Sequence, residues 1–210
     1  MKRTRTDRVF DVMMYTILVI ACAATLYPFL TIIAQAFSGN IPNMMGAVTV
    51  VPVDPQARTF AYVVASAKYL RALGVTVVVT ATGTALGLAL TTLAAYPLSR
   101  RYFSARKGLT IAYVFTMLFS PGLIPMYLLI RTLGMLNTLW ALILPPALSV
   151  YNMLIVKSFF EETPAALEDA ARIDGAGHFT IFVRIMLPMV VPTLATIGLF
   201  AAVGYWNNYL

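Results

Sequence analysis

The sequence predicts an all-α integral membrane protein, a polytopic helical bundle formed by one chain. Its composition is 60% hydrophobic and only 11% charged, with a mean hydropathy of +0.82. Soluble domains, by contrast, are about 45–50% apolar and about 25% charged. Apolar stretches of about 20 residues, which is the length that crosses a bilayer as a helix, recur along the chain. We therefore treat residues 1–210 as a single transmembrane domain.

Five membrane spans are predicted, at about residues 12–37, 72–98, 108–130, 138–156 and 185–210. The first span exceeds the roughly 7–15 apolar residues of a signal-peptide core, so we interpret it as a retained helix. Pro28 is expected to kink this helix. In the loop that follows, residues 48–53 have the composition of a short strand and residues 61–67 that of a short helix.

Glycines and prolines mark particular places within the spans. Gly83 and Gly87 are four residues apart, so they share one helix face and favour a close contact between helices. Residues 120–122 break the third span, and two prolines at positions 145 and 146 lie inside the fourth. Such breaks are tolerated where neighbouring helices or a wet cavity satisfy the freed carbonyl groups. They indicate a pathway between helices, although a kinked static bundle explains them equally.

The basic residues predict the orientation in the membrane. With the N-terminus in the cytoplasm, eleven of the fifteen lysines and arginines lie in cytoplasmic segments. These eleven are Lys2, Arg3, Arg5, Arg8, Arg100, Arg101, Arg106, Lys107, Lys157, Arg172 and Arg184. Cytoplasmic loops are enriched in lysine and arginine, so this orientation is favoured. Contact with anionic lipid headgroups also accounts for the net charge of +7 without nucleic acid.

A polar segment from Glu161 to Pro192 separates the fourth and fifth spans, and its residues 161–184 are the predicted cytoplasmic loop. Five of the chain's eight acidic residues lie in it, namely Glu161, Glu162, Glu168, Asp169 and Asp174. We expect Thr163 to cap the start of a short helix whose first residue is Pro164. Asp174 and Gly175 are typical of the helix end.

One side of this short helix is predicted to carry the apolar residues Ala166, Leu167, Ala170 and Ile173. The helix either covers the ends of neighbouring membrane helices or presents a surface to a soluble partner. The residues themselves leave both possibilities open.

The end of the fifth span combines amides with aromatic rings, in the order Tyr205, Trp206, Asn207, Asn208 and Tyr209. Two adjacent asparagines are unusual at membrane depth. One interpretation is interfacial anchoring by the rings, with the amides bonding across helices. The other is a sugar site, because aromatic faces stack on pyranose rings and amides bond to hydroxyl groups.

The polar segment resembles the EAA loop of the permeases of binding-protein-dependent ABC importers. The matching residues are Glu168, Asp169, Ala170, Ala171, Asp174, Gly175 and Ala176, then Phe182, Ile185, Leu187, Pro188 and Pro192. The family pattern has a glutamate directly before the two alanines, whereas this chain has Asp169 there, preceded by Glu168. Residues 94–100, which end the second span, are also similar to a segment common in sugar-importer permeases.

This resemblance implies the fold of ABC importer permeases, with the short helix as a coupling helix that docks into a cytoplasmic ATPase dimer. The implied ATPase-coupling residues are Leu167, Glu168, Asp169, Ala170, Ala171, Asp174, Gly175 and Ala176. No cofactor is expected on this chain, because ATP and Mg belong to the partner ATPase. Permeases of this type usually have a sixth span, so we expect one helix to be missing after Leu210.

The resemblance is closest to the carbohydrate-uptake, maltose-type group, which implies a sugar or oligosaccharide as the solute. The implied substrate-pathway residues are Tyr151, Asn152, Tyr205, Trp206, Asn207 and Asn208. In some such transporters only one of two paired permeases contacts the sugar. The expected partners are a second permease subunit, an extracytoplasmic solute-binding protein and the lipid bilayer of a bacterial plasma membrane.

Other functions make different demands on the sequence. A membrane-embedded enzyme needs paired carboxylates or histidines inside its spans; the sequence has none, so no catalytic residue is predicted. The single cysteine, Cys22, and the single histidine, His178, do not indicate a metal site. An importer of amino acids or peptides would carry more charge along its path. A non-transporting scaffold would not need the acidic loop for solute uptake.

Overall fold

A computed structural model of the chain describes residues 5–119 and 121–208, and this part is helical without strands. The helices are α1 (Arg5–Ala36), α2 (Asn40–Met44), α3 (Arg58–Ala65), α4 (Ala67–Ser99), α5 (Arg106–Leu118), α6 (Leu123–Thr132), α7 (Trp140–Ile143), α8 (Val150–Glu162), α9 (Ala165–Ile173), α10 (His178–Ile181), a π-helix (Phe182–Met186), α11 (Leu187–Met189) and α12 (Val191–Trp206). The all-α prediction is therefore confirmed. The predicted basic residues Lys2 and Arg3, the break residue Ser120, and Tyr209 and Leu210 lie outside the described residues.

The chain divides into two compact units, Met1–Ala72 and Leu73–Leu210. In the first unit, the loop after α1 folds back onto the end of that helix. The buried Ser38 hydroxyl donates to the Ala34 carbonyl at 2.6 Å and accepts from the Val53 amide at 3.0 Å. The strand expected at residues 48–53 is therefore wrong, because this backbone bonds to the end of α1 rather than to another strand. The short helix expected nearby is confirmed as α3.

Two helices are long and apolar enough to cross a membrane by themselves, at residues Asp7–Ala36 and Ala67–Ser99. Two bent pairs pass the same test of length and composition together, namely α5 with α6, and the helices of His178–Met189 with α12. The second pair bends by 77°. The described residues thus contain two spans, or up to four, and the count of five stays a prediction.

The predicted fourth span, residues 138–156, does not correspond to one helix. Its residues form the four-residue α7 and the first half of α8, with residues 144–149 irregular between them. Prolines at 145 and 146 explain the interruption, because neither has the amide hydrogen that would bond to a carbonyl group of α7 and continue the helix.

The core of the second unit forms where α8 packs between α4 and the helices that follow α9. Met153, Val156 and Phe160 are fully buried on one face of α8. The Tyr96 ring of α4 contacts the rings of Phe160 and Phe182, with centroid separations of 5.6 and 5.0 Å. This core sets the position of the C-terminal end of α4 relative to α8.

Close contacts between α4 and α12 depend on glycines. A methyl group on Gly83 would lie 2.5 Å from the Tyr205 ring, and one on Gly198 would lie 3.1 Å from Leu88. A methyl group on Gly87 would lie 3.0 Å from the carbonyl oxygen of Ala147, in the irregular segment. The predicted close helix contact is confirmed at Gly83, whereas Gly87 approaches loop backbone instead of a helix.

We expect Gly83→Ala to lower the free energy of unfolding by about 1–3 kcal/mol, the usual range for overpacking. The added methyl group would displace a Tyr205 ring whose hydroxyl is bonded to the Ile143 carbonyl at 2.8 Å. Gly74→Ala on the same helix is the matched control, because its methyl group meets nothing within 4 Å. Thermal unfolding in detergent measures both. Equal unfolding temperatures for the two variants would contradict the assigned contact.

Candidate functional site

The predicted coupling helix is α9, and its end has the geometry that the sequence predicts. Gly175 adopts a φ of 81°, in the left-handed region that favours glycine. Its amide donates to the Arg172 carbonyl at 3.0 Å, and the Ala176 amide donates to the Ala171 carbonyl at 2.9 Å. These two bonds form a Schellman motif, which satisfies carbonyl groups of the last helical turn. The expected helix end at Asp174 and Gly175 is confirmed.

The expected start of the helix is wrong. Thr163 does not cap α9, because its hydroxyl donates to the Phe159 carbonyl of α8 at 3.2 Å. Pro164 precedes the first helical residue, Ala165, instead of occupying it. Proline disfavours helical geometry in the preceding residue, so Thr163 adopts extended backbone and ends α8.

The apolar side of α9 faces away from the core of its own chain. Ile173 is 87% exposed and Leu167 is 42% exposed, and Ala166 and Ala170 are also exposed. The inward side instead carries Glu168, which is 5% exposed, together with Ala171. An amphipathic helix normally buries its apolar face. The reversed arrangement leaves an apolar surface beside the exposed Asp169 carboxylate.

Glu168 is held by two residues at the C-terminal end of α4. The Arg100 Nε atom lies 3.0 Å from Glu168 Oε1, and the Tyr96 hydroxyl donates to the same oxygen at 3.2 Å. The Arg100 Nε–H does not point along a hydrogen bond, so this contact is an ion pair by distance. The Arg172 guanidinium reaches the other carboxylate oxygen at 3.9 Å. A buried carboxylate thus has a positive partner and a hydroxyl donor.

Arg100 also connects α8 to the cluster formed by Glu168, Tyr96, Arg100 and Arg172. Its Nη2 donates to the Phe160 carbonyl at 3.0 Å, and its guanidinium lies 5.1 Å from the centroid of the Tyr96 ring. The carbonyl belongs to the last turn of α8, where it has no partner within the helix and where the helix dipole favours a cation. Sequence reasoning placed Arg100 among the cytoplasmic basic residues but did not predict that Tyr96 or Arg100 contacts the acidic loop. The available signal was an arginine directly after a charge-free span.

The turn after Arg100 holds the other side of α9. The Tyr102 ring lies 4.7 Å from the Arg172 guanidinium carbon and 5.6 Å from the His178 ring. A groove of about 730 Å³ opens between this turn and the beginning of α9. Its lining includes both signs of charge, from Arg101, Arg106, Glu162 and Asp169.

A cavity of about 390 Å³ lies between α4, the irregular segment and α12. Three of the six predicted substrate-pathway residues line it, namely Asn152, Tyr205 and Asn208. Thr91 and Ser149 add hydroxyl groups to the lining. None of the lining residues carries a formal charge. The Tyr205 hydroxyl is already bonded to the Ile143 carbonyl, so this ring contributes shape more than a free donor.

The other three predicted pathway residues do not line this cavity. Tyr151 and Trp206 are exposed, and the Asn207 amide donates to the Val203 carbonyl at 2.9 Å. Trp206 and Asn207 line a separate shallow groove of about 240 Å³. Helix α12 ends at Trp206, and in the turn that follows the backbone amide of Asn208 donates to the Tyr205 carbonyl at 3.2 Å. This turn brings Asn208 to the cavity beside Tyr205, while Trp206 and Asn207 line the separate groove.

The apolar helices are those of a helical membrane protein, and the cavity and the outward-facing α9 are features expected of a transport permease. Residues 83–210 match the family described as "Binding-protein-dependent transport system inner membrane component". The chain belongs to this family. The importer permease that the EAA-type residues implied is therefore confirmed.

Individual relatives agree with this family. The Bacillus subtilis protein LplC is 41% identical over 100% of this chain and 71% of its own length. The B. subtilis polygalacturonan/rhamnogalacturonan transport system permease protein YtcP is 39% identical over 97% of this chain and 71% of its own length. A crystal structure of a bacterial ABC transporter involved in the import of the acidic polysaccharide alginate has a TM-score of 0.94. It is 30% identical and covers 100% of this chain and 75% of that one.

If Arg100 and Glu168 form a buried ion pair, the losses in free energy of unfolding on replacing them singly and together should not be additive. Arg100→Gln or Glu168→Gln alone leaves one buried charge without its partner, and each is expected to cost about 3–5 kcal/mol. The double variant removes both charges, so it should lose less stability than either single variant. Urea unfolding in detergent measures all three.

Lys157→Gln is the control for this cycle, because Lys157 forms a more exposed ion pair with Glu161 at 2.7 Å. Its expected loss is about 0–1 kcal/mol. Strictly additive losses at Arg100 and Glu168 would rule out the pairing.

Proposed function

We propose that this chain is the permease subunit of an ATP-driven importer of sugars or oligosaccharides, and that α9 couples it to a cytoplasmic ATPase dimer. The observation that carries the proposal is the reversed orientation of α9. Its apolar residues face outward, while a buried carboxylate ties the opposite side to α4. A helix placed in this way presents an apolar surface to a partner and is anchored to the body that it must move.

The predicted coupling residues separate into two groups under this proposal. Leu167, Asp169, Ala170, Asp174 and Gly175 are exposed and would contact the ATPase. Glu168 and Ala171 are buried and Ala176 is half-buried, so they would attach the helix to its own chain. Asp169 carries the outward carboxylate beside the two alanines. The departure from glutamate thus keeps the charge on a shorter side chain.

The remaining partners follow from the importer class. ATP and Mg would bind to the ATPase dimer, a second permease subunit would complete the pathway, and an extracytoplasmic solute-binding protein would deliver the solute. The location is a bacterial plasma membrane, with the N-terminus and α9 on the cytoplasmic side as the basic residues favour.

Two observations favour a sugar as the solute. The cavity lies within the size range of small-molecule sites, about 300–1,000 Å³, and Asn152, Asn208, Thr91 and Ser149 offer donors and acceptors for hydroxyl groups. Two of the three relatives, YtcP and the alginate importer, are also named for the transport of polysaccharides. An amino-acid or peptide importer is the second candidate, but the uncharged lining offers no partner for a zwitterion.

Association with the ATPase is expected to depend on the exposed face of α9. Ile173→Glu places a charge on the apolar surface without disturbing a buried contact, so the permease should insert normally and lose its ATPase. Co-purification in mild detergent measures this association. Met44→Glu is the control, because Met44 is 88% exposed in a segment predicted to lie outside the cell. Retention of the ATPase by the Ile173 variant would refute the assignment.

Adjacent asparagines provide a matched test of the solute site. Asn208→Ala removes an amide that lines the cavity, whereas Asn207→Ala alters the separate groove. Loss of one hydrogen bond of about 1 kcal/mol corresponds to a roughly fivefold rise in KM. Uptake of maltotriose and of galacturonate oligosaccharides by proteoliposomes would measure KM for both variants. A larger effect at Asn207 would place the solute elsewhere.

A further inference from the structure

Helix α4 connects the two candidate sites within the second unit. Leu88 and Thr91 of this helix line the cavity, and Tyr96 and Arg100 at its C-terminal end contact Glu168 of α9. The helix is continuous as far as Ser99, so Thr91 and Arg100 are about 14 Å apart along it at 1.5 Å per residue. A continuous helix transmits a displacement with little internal change. Pro97 removes one backbone hydrogen bond near the end of α4, but the helix continues to Ser99, whose hydroxyl donates to the Tyr96 carbonyl at 2.6 Å in that last turn.

The covalent route from α9 to the cavity is less direct. After Gly175 the chain forms α10, the π-helix, α11 and then a bend of 77° before α12. Each of these irregularities is a place where small changes of backbone dihedral angles can absorb a displacement. Helix α12 also lines the cavity, through Ile197 and Phe200, and along the chain α9 is joined to it by this interrupted path.

The contact at Glu168 is suited to hold α9 on α4 during movement. Arg100 is 7% exposed and Glu168 is 5% exposed, so separating them would leave the buried Arg100 without an anionic partner and Glu168 with only the longer contact to Arg172. Tyr102 adds a second attachment through the Arg172 guanidinium. Within residues 5–119 and 121–208, no ion pair or ring contact is made by Leu167 or Ile173 on the exposed side of α9, which suits a surface for the ATPase.

We infer that Arg100 and Tyr96 are positioning residues that transmit the movement of α9 to the cavity through α4, with Glu168 as the point of attachment. This inference rests on the proposed function and adds a role for residues that line neither the apolar face of α9 nor the cavity. A force applied by the ATPase at Leu167 or Ile173 would reach Glu168 within α9 and pass to α4 through the ion pair. The cavity walls at Leu88 and Thr91 would then move with α4.

The test uses the whole transporter in lipid nanodiscs, including the second permease and the ATPase. The only cysteine, Cys22, is replaced by serine, and Ala201→Cys places a thiol in the cavity lining. A water-soluble maleimide reports the accessibility of this thiol with and without ATP and vanadate, so no sugar is needed. In this parent protein, ATP should change the labelling rate by about fivefold or more, the lower range of coupling between sites.

The deciding variant adds Arg100→Gln and Glu168→Gln to the parent, which removes the ion pair without leaving a lone charge. Its response to ATP should fall below about twofold, while the ATPase still co-purifies and hydrolyses ATP. Arg100→Lys retains the charge and should recover part of the response. Lys157→Gln, which alters an ion pair outside the cluster, should respond as the parent does.

Each other outcome has a definite meaning. A parent-like response in the double variant would overturn the inference and leave the proposed function intact. Loss of the ATPase from the double variant would also overturn it, because the contact would then serve assembly and not transmission. A parent protein whose labelling does not respond to ATP would refute the proposed function, and the inference with it.

Discussion

The placement of α9 depends on one buried contact, between the Glu168 carboxylate and the Arg100 guanidinium. A buried carboxylate is unfavourable without a partner, so the side of the helix that carries it must face Arg100. This requirement sets the rotation of α9 about its axis. Leu167 and Ile173 then point outward, against the usual preference of apolar side chains. The surface that a partner would recognise is thus a consequence of a polar contact on the opposite side.

The cavity likewise depends on a few residues, namely glycines that allow helices to approach closely and prolines that interrupt a helix. Gly83 and Gly198 allow α12 to lie close against α4, and the prolines at 145 and 146 end α7 and leave residues 144–149 irregular. Irregular backbone within a membrane is tolerated where it is buried in protein or lines a wet space. Ala147 and Ser149 of this segment line the cavity. The features that weaken the predicted fourth span therefore help to form the site.

Much of the fold and part of the candidate site could be predicted from short stretches of sequence, where the local residues alone decide the structure. The two long helices follow from apolar length, and the end of α9 follows from Gly175, whose backbone conformation requires no tertiary contact. Thr163 was assigned to the wrong helix because a hydroxyl group at a helix junction can bond to either neighbour. Residues 48–53 were assigned to a strand because their composition suits extended backbone. In the structure, the Val53 amide instead donates to the Ser38 hydroxyl, just after the C-terminal end of α1. Composition does not reveal such a partner.

By itself, the sequence determined the membrane class, the family and the location of the EAA-type segment, because apolar length, charge bias and the EAA-type residues are properties of contiguous stretches. Only the tertiary structure decided which residues of that segment face inward and which of the paired amides line the cavity. Asn207 and Asn208 are chemically identical neighbours, and the turn that ends α12 at this point separates their surroundings. The partnership of Arg100 with Glu168 likewise joins residues 68 positions apart, and the packing of α4 against α8 brings them together.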